Sequence, residues 1–175
     1  LSLYAQSEFV LGDRLTIIPG VRADWNDRDP DDAIPGAEPV ADLAVSPKIA
    51  AISEISDAFS VFGSVAQTER LPTVDELYSY SATQAPSLDL ENETSLNYEL
   101  GFAVDAVDLL TQGDSLQFKA TAFRNEVTNL IQRAAASQPV FFENVSEAVY
   151  EGYELELGYD SEMFFAQAAF AHVEA

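Results

Sequence analysis

The sequence contains no cysteine, a single histidine and only eight lysines and arginines in 175 residues. Without cysteine, disulfide scaffolds, thiolate metal sites and thiol nucleophiles are excluded. The eight basic residues stand against 30 Asp and Glu, which gives a formal net charge of −22. Nucleic acid is therefore not an expected partner, because its phosphates would be repelled.

Long apolar runs are also absent, since a charge, a glycine or a proline interrupts each one. A transmembrane helix needs roughly 18 or more consecutive apolar residues, so a helical membrane protein is excluded. The hydrophobic content of 47% nevertheless argues against a disordered chain. A soluble β or α+β domain and a membrane β-barrel stay open, because a barrel strand needs apolar residues only at alternate positions.

Alternation of apolar and polar residues is the main pattern that is present. It is clearest in residues 96–105, where every second position is apolar: Leu96, Tyr98, Leu100, Phe102 and Val104. Residues 15–25 and 153–159 repeat it. Successive side chains of a strand point to opposite faces, so these segments predict strands with one apolar and one polar face. About eight strands are predicted along the chain.

The connections between the predicted strands alternate in length. Turn signals are short near residues 12–14, 56–58, 111–114 and 160–161, and long polar stretches cover residues 26–45, 71–95 and 132–147. Outer-membrane barrels alternate in this way, with short periplasmic turns and long extracellular loops. The sequence therefore favours an all-β, antiparallel up-and-down transmembrane β-barrel segment, with a soluble β-sandwich or lipocalin-like barrel as the alternative.

Several motifs, in order along the chain, resemble the barrel of TonB-dependent outer-membrane receptors. They occupy residues 4–6, 13–16, 19–24, 46–48, 69–78, 93–101, 144–145 and 150–156. The resemblance implies a barrel of about 22 strands that an N-terminal plug domain fills. About eight strands cannot close a barrel of that diameter. We therefore expect residues 1–175 to be part of the β-barrel domain, with the plug domain and the terminal strands absent.

One region is similar to haem and haemoglobin receptors. Residues 70–72 resemble the end of their phenylalanine-arginine-alanine-proline box, with Glu69 and Leu71 in place of the aromatic residue and the alanine. Residues 87–90 correspond to the asparagine-proline-asparagine-leucine box, of which they keep the final leucine and an acidic near-equivalent. Residues 73–86 contain no histidine, where such receptors have a candidate iron ligand. The resemblance implies an iron-bearing ligand, either haem or a siderophore.

Five residues of this region are candidates for ligand binding: Arg70, Asp75, Glu76, Tyr78 and Tyr80. The planar guanidinium of Arg70 suits a carboxylate or a phosphate, although pairing with Asp75 or Glu76 would make it a loop anchor. Tyr78 and Tyr80 are candidate phenolate ligands of ferric haem, or else stacking and packing residues.

An acidic stretch precedes this region. Asp27, Asp29, Asp31 and Glu38 stand at positions 1, 3, 5 and 12 of a twelve-residue segment, which is the spacing of a calcium loop. Asp32 occupies the position where that loop needs glycine, and the flanks predict strands where the motif has helices. The stretch is therefore interpreted either as a calcium site or as a solvated acidic loop.

The resemblance implies a receptor and transporter that is not an enzyme, in the outer membrane of a Gram-negative bacterium. Its expected partners are outer-membrane lipid, an iron-bearing small molecule and, through the missing plug domain, the TonB energy-coupling complex. The sequence offers no Ser-His-Asp order and no glycine-rich phosphate loop. Apart from calcium, no cofactor is expected. The alternatives are a small eight-stranded outer-membrane barrel with a structural role and a soluble β domain.

Overall fold

The computed structural model describes residues 1–31, 34 and 36–175. Its described part consists of strands and one short helix, in the order β1 (Ser2–Gln6), β2 (Phe9–Leu11), β3 (Leu15–Arg28), β4 (Val40–Ser56), β5 (Phe59–Arg70), α1 (Val74–Tyr78), β6 (Glu93–Val107), β7 (Ser115–Arg133), β8 (Phe142–Asp160) and β9 (Phe165–Glu174). No helix in this described part is long and apolar enough to cross a membrane.

All strands belong to one antiparallel sheet in which neighbours in sequence are neighbours in space. β1 and β2 both pair with β3 and together form one strand position, interrupted near Ser7, whose N–H donates to the carbonyl of Pro19. The sheet therefore has eight positions, which confirms the predicted number. Within the described residues β1 and β9 form its two edges and do not pair, so the sheet is open.

The connections alternate in length, as the turn signals predicted. Short turns span residues 12–14, 57–58, 108–114 and 161–164, and longer connections span residues 29–39, 71–92 and 134–141 at the opposite end. The strands extend further into the long polar stretches than expected, because pairing continues to Arg28 with Val40 and to Arg133 with Phe142. Polar residues can continue a hydrogen-bonded ladder beyond the apolar part of a strand, so polarity alone did not mark the strand ends.

The register of the ladder brings the apolar residues onto one face. Leu100, for example, pairs directly with Gly63 and Ala122, and directly paired residues share a face. Large side chains on this face include Phe9, Ile17, Trp25, Leu43, Ile49, Val61, Val65, Tyr98, Leu100, Phe102, Phe118, Tyr153, Leu157 and Phe170. Trp25 remains 60% exposed and Leu100 remains 70% exposed. An apolar, uncovered face of this kind is typical of the outer surface of a membrane barrel.

The opposite face is polar. Arg22 lies 2.7 Å from Asp24, and Lys119 lies 3.2 Å from Glu156 across β7 and β8. This is the composition expected for the inner surface of a membrane barrel, which is lined by polar residues and water.

The ladder between β4 and β5 ends before the strands do. Pairing runs as far as Lys48 with Ala66, whereas β4 begins at Val40 and β5 continues to Arg70. Beyond this point side chains replace the ladder: the N–H of Val45 donates to Glu69 Oε2 at 3.1 Å, and the N–H of Glu69 donates to Ser46 Oγ at 3.1 Å. Residues 21–28 and 40–47, the outer hairpin, therefore attach to β5 through side chains.

One short turn is organised around a buried carboxylate. Asp114 is 1% exposed and accepts hydrogen bonds from the N–H groups of Leu109, Leu110 and Thr111 at 2.7 to 2.9 Å and from the hydroxyl of Tyr159 at 2.8 Å. Burial alone raises the pKa of Asp114, but these donors outweigh it and hold the pKa at about 2. The turn is therefore stabilised by the ionised form of Asp114.

Replacing Asp114 with Asn should destabilise the barrel and change its acid response. A carboxylate whose folded pKa lies below its unfolded value, roughly 3.9, contributes stability above that value and loses it as the pH falls toward about 2. Urea unfolding from lipid vesicles should show a steeper loss of stability between pH 4 and pH 2 in the wild type than in Asp114→Asn. Asp13→Asn, in the exposed turn at residues 12–14, is the control and should match the wild type.

Gly152 and Gly158, both on β8, allow a test of how closely β8 approaches β9. A Cβ atom at Gly152 would overlap the carbonyl oxygen of His172 on β9, whereas at Gly158 the nearest atom would be Gln117 Cβ at 3.9 Å. Gly152→Ala should cost on the order of 1–3 kcal/mol and lower the yield of heat-modifiable folded barrel on gels. Gly158→Ala should not. Equal yields would contradict the close approach of β8 and β9 at this position.

Candidate functional site

The long connection at residues 71–92 is held by a capping box at the start of α1. The N–H of Glu76 donates to Thr73 Oγ1 at 3.2 Å, and the N–H of Thr73 donates to Glu76 Oε2 at 2.7 Å. This reciprocal pair is typical of a threonine followed three residues later by glutamate. Leu77 is 1% exposed, so the helix also buries an apolar side chain.

Arg70 lies at the end of β5 and joins this helix to β6. Its Nη1 lies 2.9 Å from Glu76 Oε2, and its Nη2 lies 3.2 Å from Glu76 Oε1 and 2.9 Å from Glu93 Oε2. The guanidinium thus holds two carboxylates, one of them through two parallel bonds. The sequence left two roles open for Arg70, ligand binding and anchoring of the loop. In the structure Arg70 pairs with Glu76 and anchors the loop.

The charge state of Glu76 follows from these contacts. Partial burial raises the pKa of Glu76, but hydrogen bonds from Arg70 and from the Thr73 backbone outweigh that effect, so the pKa lies below its ordinary value. Glu76 is therefore ionised at neutral pH and satisfied by its own chain. Neither Arg70 nor Glu76 presents an uncompensated charge to a ligand.

Tyr78 is turned into the protein. Its side chain is 5% exposed, and its hydroxyl donates to the carbonyls of Glu38 at 3.0 Å and Arg28 at 3.3 Å. Burial raises the pKa of the Tyr78 phenol, which opposes formation of a phenolate. Tyr78 thus links α1 to the outer hairpin, and coordination of a metal by its oxygen would require breaking both bonds.

Asp75 and Tyr80 differ from the other three predicted residues. Both are exposed, Tyr80 at 49%, and in the described part of the chain neither side chain takes part in a hydrogen bond or an ion pair. Of the five predicted binding residues, three are engaged in holding the loop, and these two remain accessible to a ligand.

Gln84 and Ser87 also shape the site; sequence reasoning did not single out Gln84, and it placed Ser87 only within the segment 87–90. Gln84 is buried, and its amide nitrogen donates to the carbonyls of Ala135 at 3.1 Å and Val140 at 2.8 Å. Ser87 Oγ accepts from the N–H of Phe142 at 2.7 Å. These bonds join residues 71–92 to residues 134–142. A polar residue in a polar loop carries no sequence signal for such burial.

The residues of the predicted calcium loop belong to two parts of the fold, Asp27 to β3 and Asp29, Asp31 and Glu38 to the connection that follows it. Asp27 is part of β3 and pairs with Ala41, and the carbonyl of Glu38 accepts from Tyr78. Residues 32, 33 and 35 lie outside the described residues. Within residues 1–31, 34 and 36–175, no group of three or more carboxylates or histidines is placed to hold a metal ion. Calcium binding by Asp27, Asp29, Asp31 and Glu38 stays an untested prediction.

The family is decided by comparison with known proteins. The family model described as TonB dependent receptor-like, beta-barrel, matches residues 1–175. The chain belongs to this family. The soluble β domain therefore no longer stands as an alternative, and the open sheet is consistent with part of such a barrel.

Individual proteins similar to this chain are consistent with its membership of the family. A hemin receptor of Yersinia pestis is 29% identical over 125 residues, which are 62% of this chain and 18% of that protein. The Serratia marcescens hemophore receptor HasR, solved as a double mutant with its hemophore HasA and heme, superposes with a TM-score of 0.78 at 22% identity over 99% of this chain and 33% of that one. The copper transporter OprC superposes with a TM-score of 0.73 at 20% identity, covering 98% and 28%.

The matches cover most of this chain but only a small part of each relative. The chain spans 13% to 19% of the length of the curated relatives that it matches. HasR and OprC carry different cargo in their names but superpose almost equally well, so the fold of this receptor barrel does not by itself specify a ligand.

Glu76→Ala should loosen the loop at residues 71–92, because it removes half of the capping box and both bonds to Arg70. Loss of a cap alone costs about 0.5–2 kcal/mol. In the complete barrel, amide hydrogen exchange of residues 71–80 should accelerate while β6 and β7 stay protected. Asp75→Ala, one residue away and exposed, is the matched control. Equal exchange in the two variants would contradict the anchoring role of Glu76.

Proposed function

We propose that residues 1–175 form part of the wall and of the ligand-contacting loops of an outer-membrane TonB-dependent receptor that takes up an iron-bearing ligand. The match of the family model to the whole chain is the observation that carries this proposal. The uncovered apolar face supports a location in a lipid bilayer. The connections at residues 71–92 and 134–141, which hydrogen bonds join to each other, lie at the end opposite the short turns and support ligand capture on the extracellular side.

Haem is the cargo that the relatives' names favour, since they include a hemin receptor and a hemophore receptor. Residues 73–86 contain no histidine, so another side chain would have to contact the iron. Tyr80 is the candidate, because it is exposed and its hydroxyl has no partner among the described residues, whereas Tyr78 is already engaged. A ferric siderophore is the second candidate cargo, for which Tyr80 would be a stacking residue.

The proposed transport requires no bond chemistry from this segment. The ligand would meet the loops first and pass inward after an energy-coupling partner, TonB, displaces a plug domain that residues 1–175 do not include. The polar inner face of the sheet, with pairs such as Lys119 and Glu156, would contact that plug. The segment then contributes a wall and a binding surface, and no catalytic role is assigned to it.

A pair of tyrosine variants tests the cargo and its contact together. If Tyr80 coordinates ferric haem, Tyr80→Phe should abolish the absorption bands of phenolate-bound haem, because the oxygen ligand is lost. Tyr78→Phe should keep those bands and lose only about 1 kcal/mol of stability through its two hydrogen bonds. Haem titrations of the purified receptor, followed by absorption and by quenching of intrinsic fluorescence, provide the measurement.

The same titrations should be repeated with a ferric siderophore. Saturation by the siderophore alone would contradict haem as the cargo while leaving the receptor function in place. Saturation by neither ligand would contradict uptake of an iron-bearing ligand as proposed.

A further inference from the structure

Arg133 is the one charged residue in residues 127–142, although 22% of the whole chain is charged. It lies at the outer end of β7, where the connection to β8 begins. The following connection, residues 134–141, contains no carboxylate. Within residues 127–142, no carboxylate accompanies this cation, although the chain as a whole has a net charge of −22.

Arg133 differs from most basic residues of the chain in having no ion-pair partner among the described residues. Six of the eight basic residues lie within ion-pair distance of a carboxylate: Arg14, Arg22, Arg28, Arg70, Lys119 and Arg124. Among the described residues, Arg133 and Lys48 have no such partner. Lys48 lies within the wall, near the ring of Tyr4. Arg133 is thus the exposed cation at the loop end whose charge no described carboxylate neutralises.

An aromatic ring positions the Arg133 guanidinium. Its Cζ lies 4.0 Å from the centroid of the Phe141 ring. Phe141 is itself fixed, because its carbonyl accepts from the N–H of Ala134 at 3.0 Å and its N–H donates to the carbonyl of Ala85 at 3.1 Å. A guanidinium over a ring keeps its N–H donors directed outward in a fixed fork, which suits a carboxylate.

The surroundings of Arg133 leave room for a ligand next to the proposed binding loop. Residues 135–137 are small and exposed. Gln84 ties the turn that follows Tyr80 to the carbonyls of Ala135 and Val140. Tyr80 lies in one of the two connections that Gln84 joins, and Arg133 borders the other.

We infer that Arg133, held over Phe141, is an anion-recognition site that binds a carboxylate of the transported ligand. This inference rests on the proposed function and adds the chemical group that the receptor selects. Haem carries two propionate carboxylates, and its dimethyl ester carries none but keeps the same macrocycle, so the two compounds are matched probes.

The test compares binding of haem and of haem dimethyl ester to the complete receptor in detergent, for the wild type, Arg133→Gln and Arg14→Gln. Arg133→Gln should weaken haem binding about tenfold, as expected for loss of a charge-assisted hydrogen bond, and should leave ester binding unchanged. Arg14→Gln removes the same charge at a short turn and should bind both probes like the wild type. A heat-modifiable band on gels checks that each variant is folded.

Unchanged haem affinity in Arg133→Gln would overturn the inference, and so would an equal loss for haem and ester, since only a carboxylate contact separates the two probes. Either result would leave the proposed function intact if the wild type still binds haem. A wild type that binds neither probe would overturn haem as the cargo and this inference with it.

Discussion

The need to satisfy every backbone hydrogen bond within the sheet governs the rest of this molecule. In a bilayer, an unpaired N–H or carbonyl costs several kcal/mol, so strands can cross only when neighbours pair with them along their length. The ladders from β5 through β8 meet this condition with continuous registers. Because that register also assigns each side chain to a face, one pattern of pairing produces both the apolar outer surface and the polar inner one.

At the end of the sheet that carries the long connections, the rim, backbone groups also find hydrogen-bond partners, but these partners are side chains. Where the strands end, side chains supply the partners that a ladder would have supplied: Thr73 and Glu76 cap the helix, and the Gln84 amide donates to two carbonyls of the neighbouring connection. Three of the five side chains that the sequence predicts to bind a ligand, Arg70, Glu76 and Tyr78, therefore form hydrogen bonds within the chain. What remains for a ligand is a small set of exposed groups on an ordered base.

The strands of the wall could be predicted from the sequence, whereas the contacts of the rim could be predicted only in part. Alternation in residues 96–105 and the unequal turn lengths are local properties, and local properties determine strands and hairpins. The partner of Arg70 was among the sequence alternatives because Glu76 is near in sequence, but Glu93 lies across the loop. The burial of Tyr78 depends on carbonyls roughly 40 to 50 residues away, and no local pattern encodes such a contact.

The early end of the ladder between β4 and β5 makes the wall mechanically uneven. Below Lys48 and Ala66, β4 and β5 separate only if a row of backbone bonds breaks together. Above them, a few independent side-chain bonds from Ser46, Glu69 and Tyr78 hold the outer hairpin on the side of β5. Substitutions can weaken or replace those bonds one at a time without breaking the backbone ladders from β5 through β8. The outer hairpin is thus the part of this wall in which shape can diverge between receptors at the least cost to the barrel.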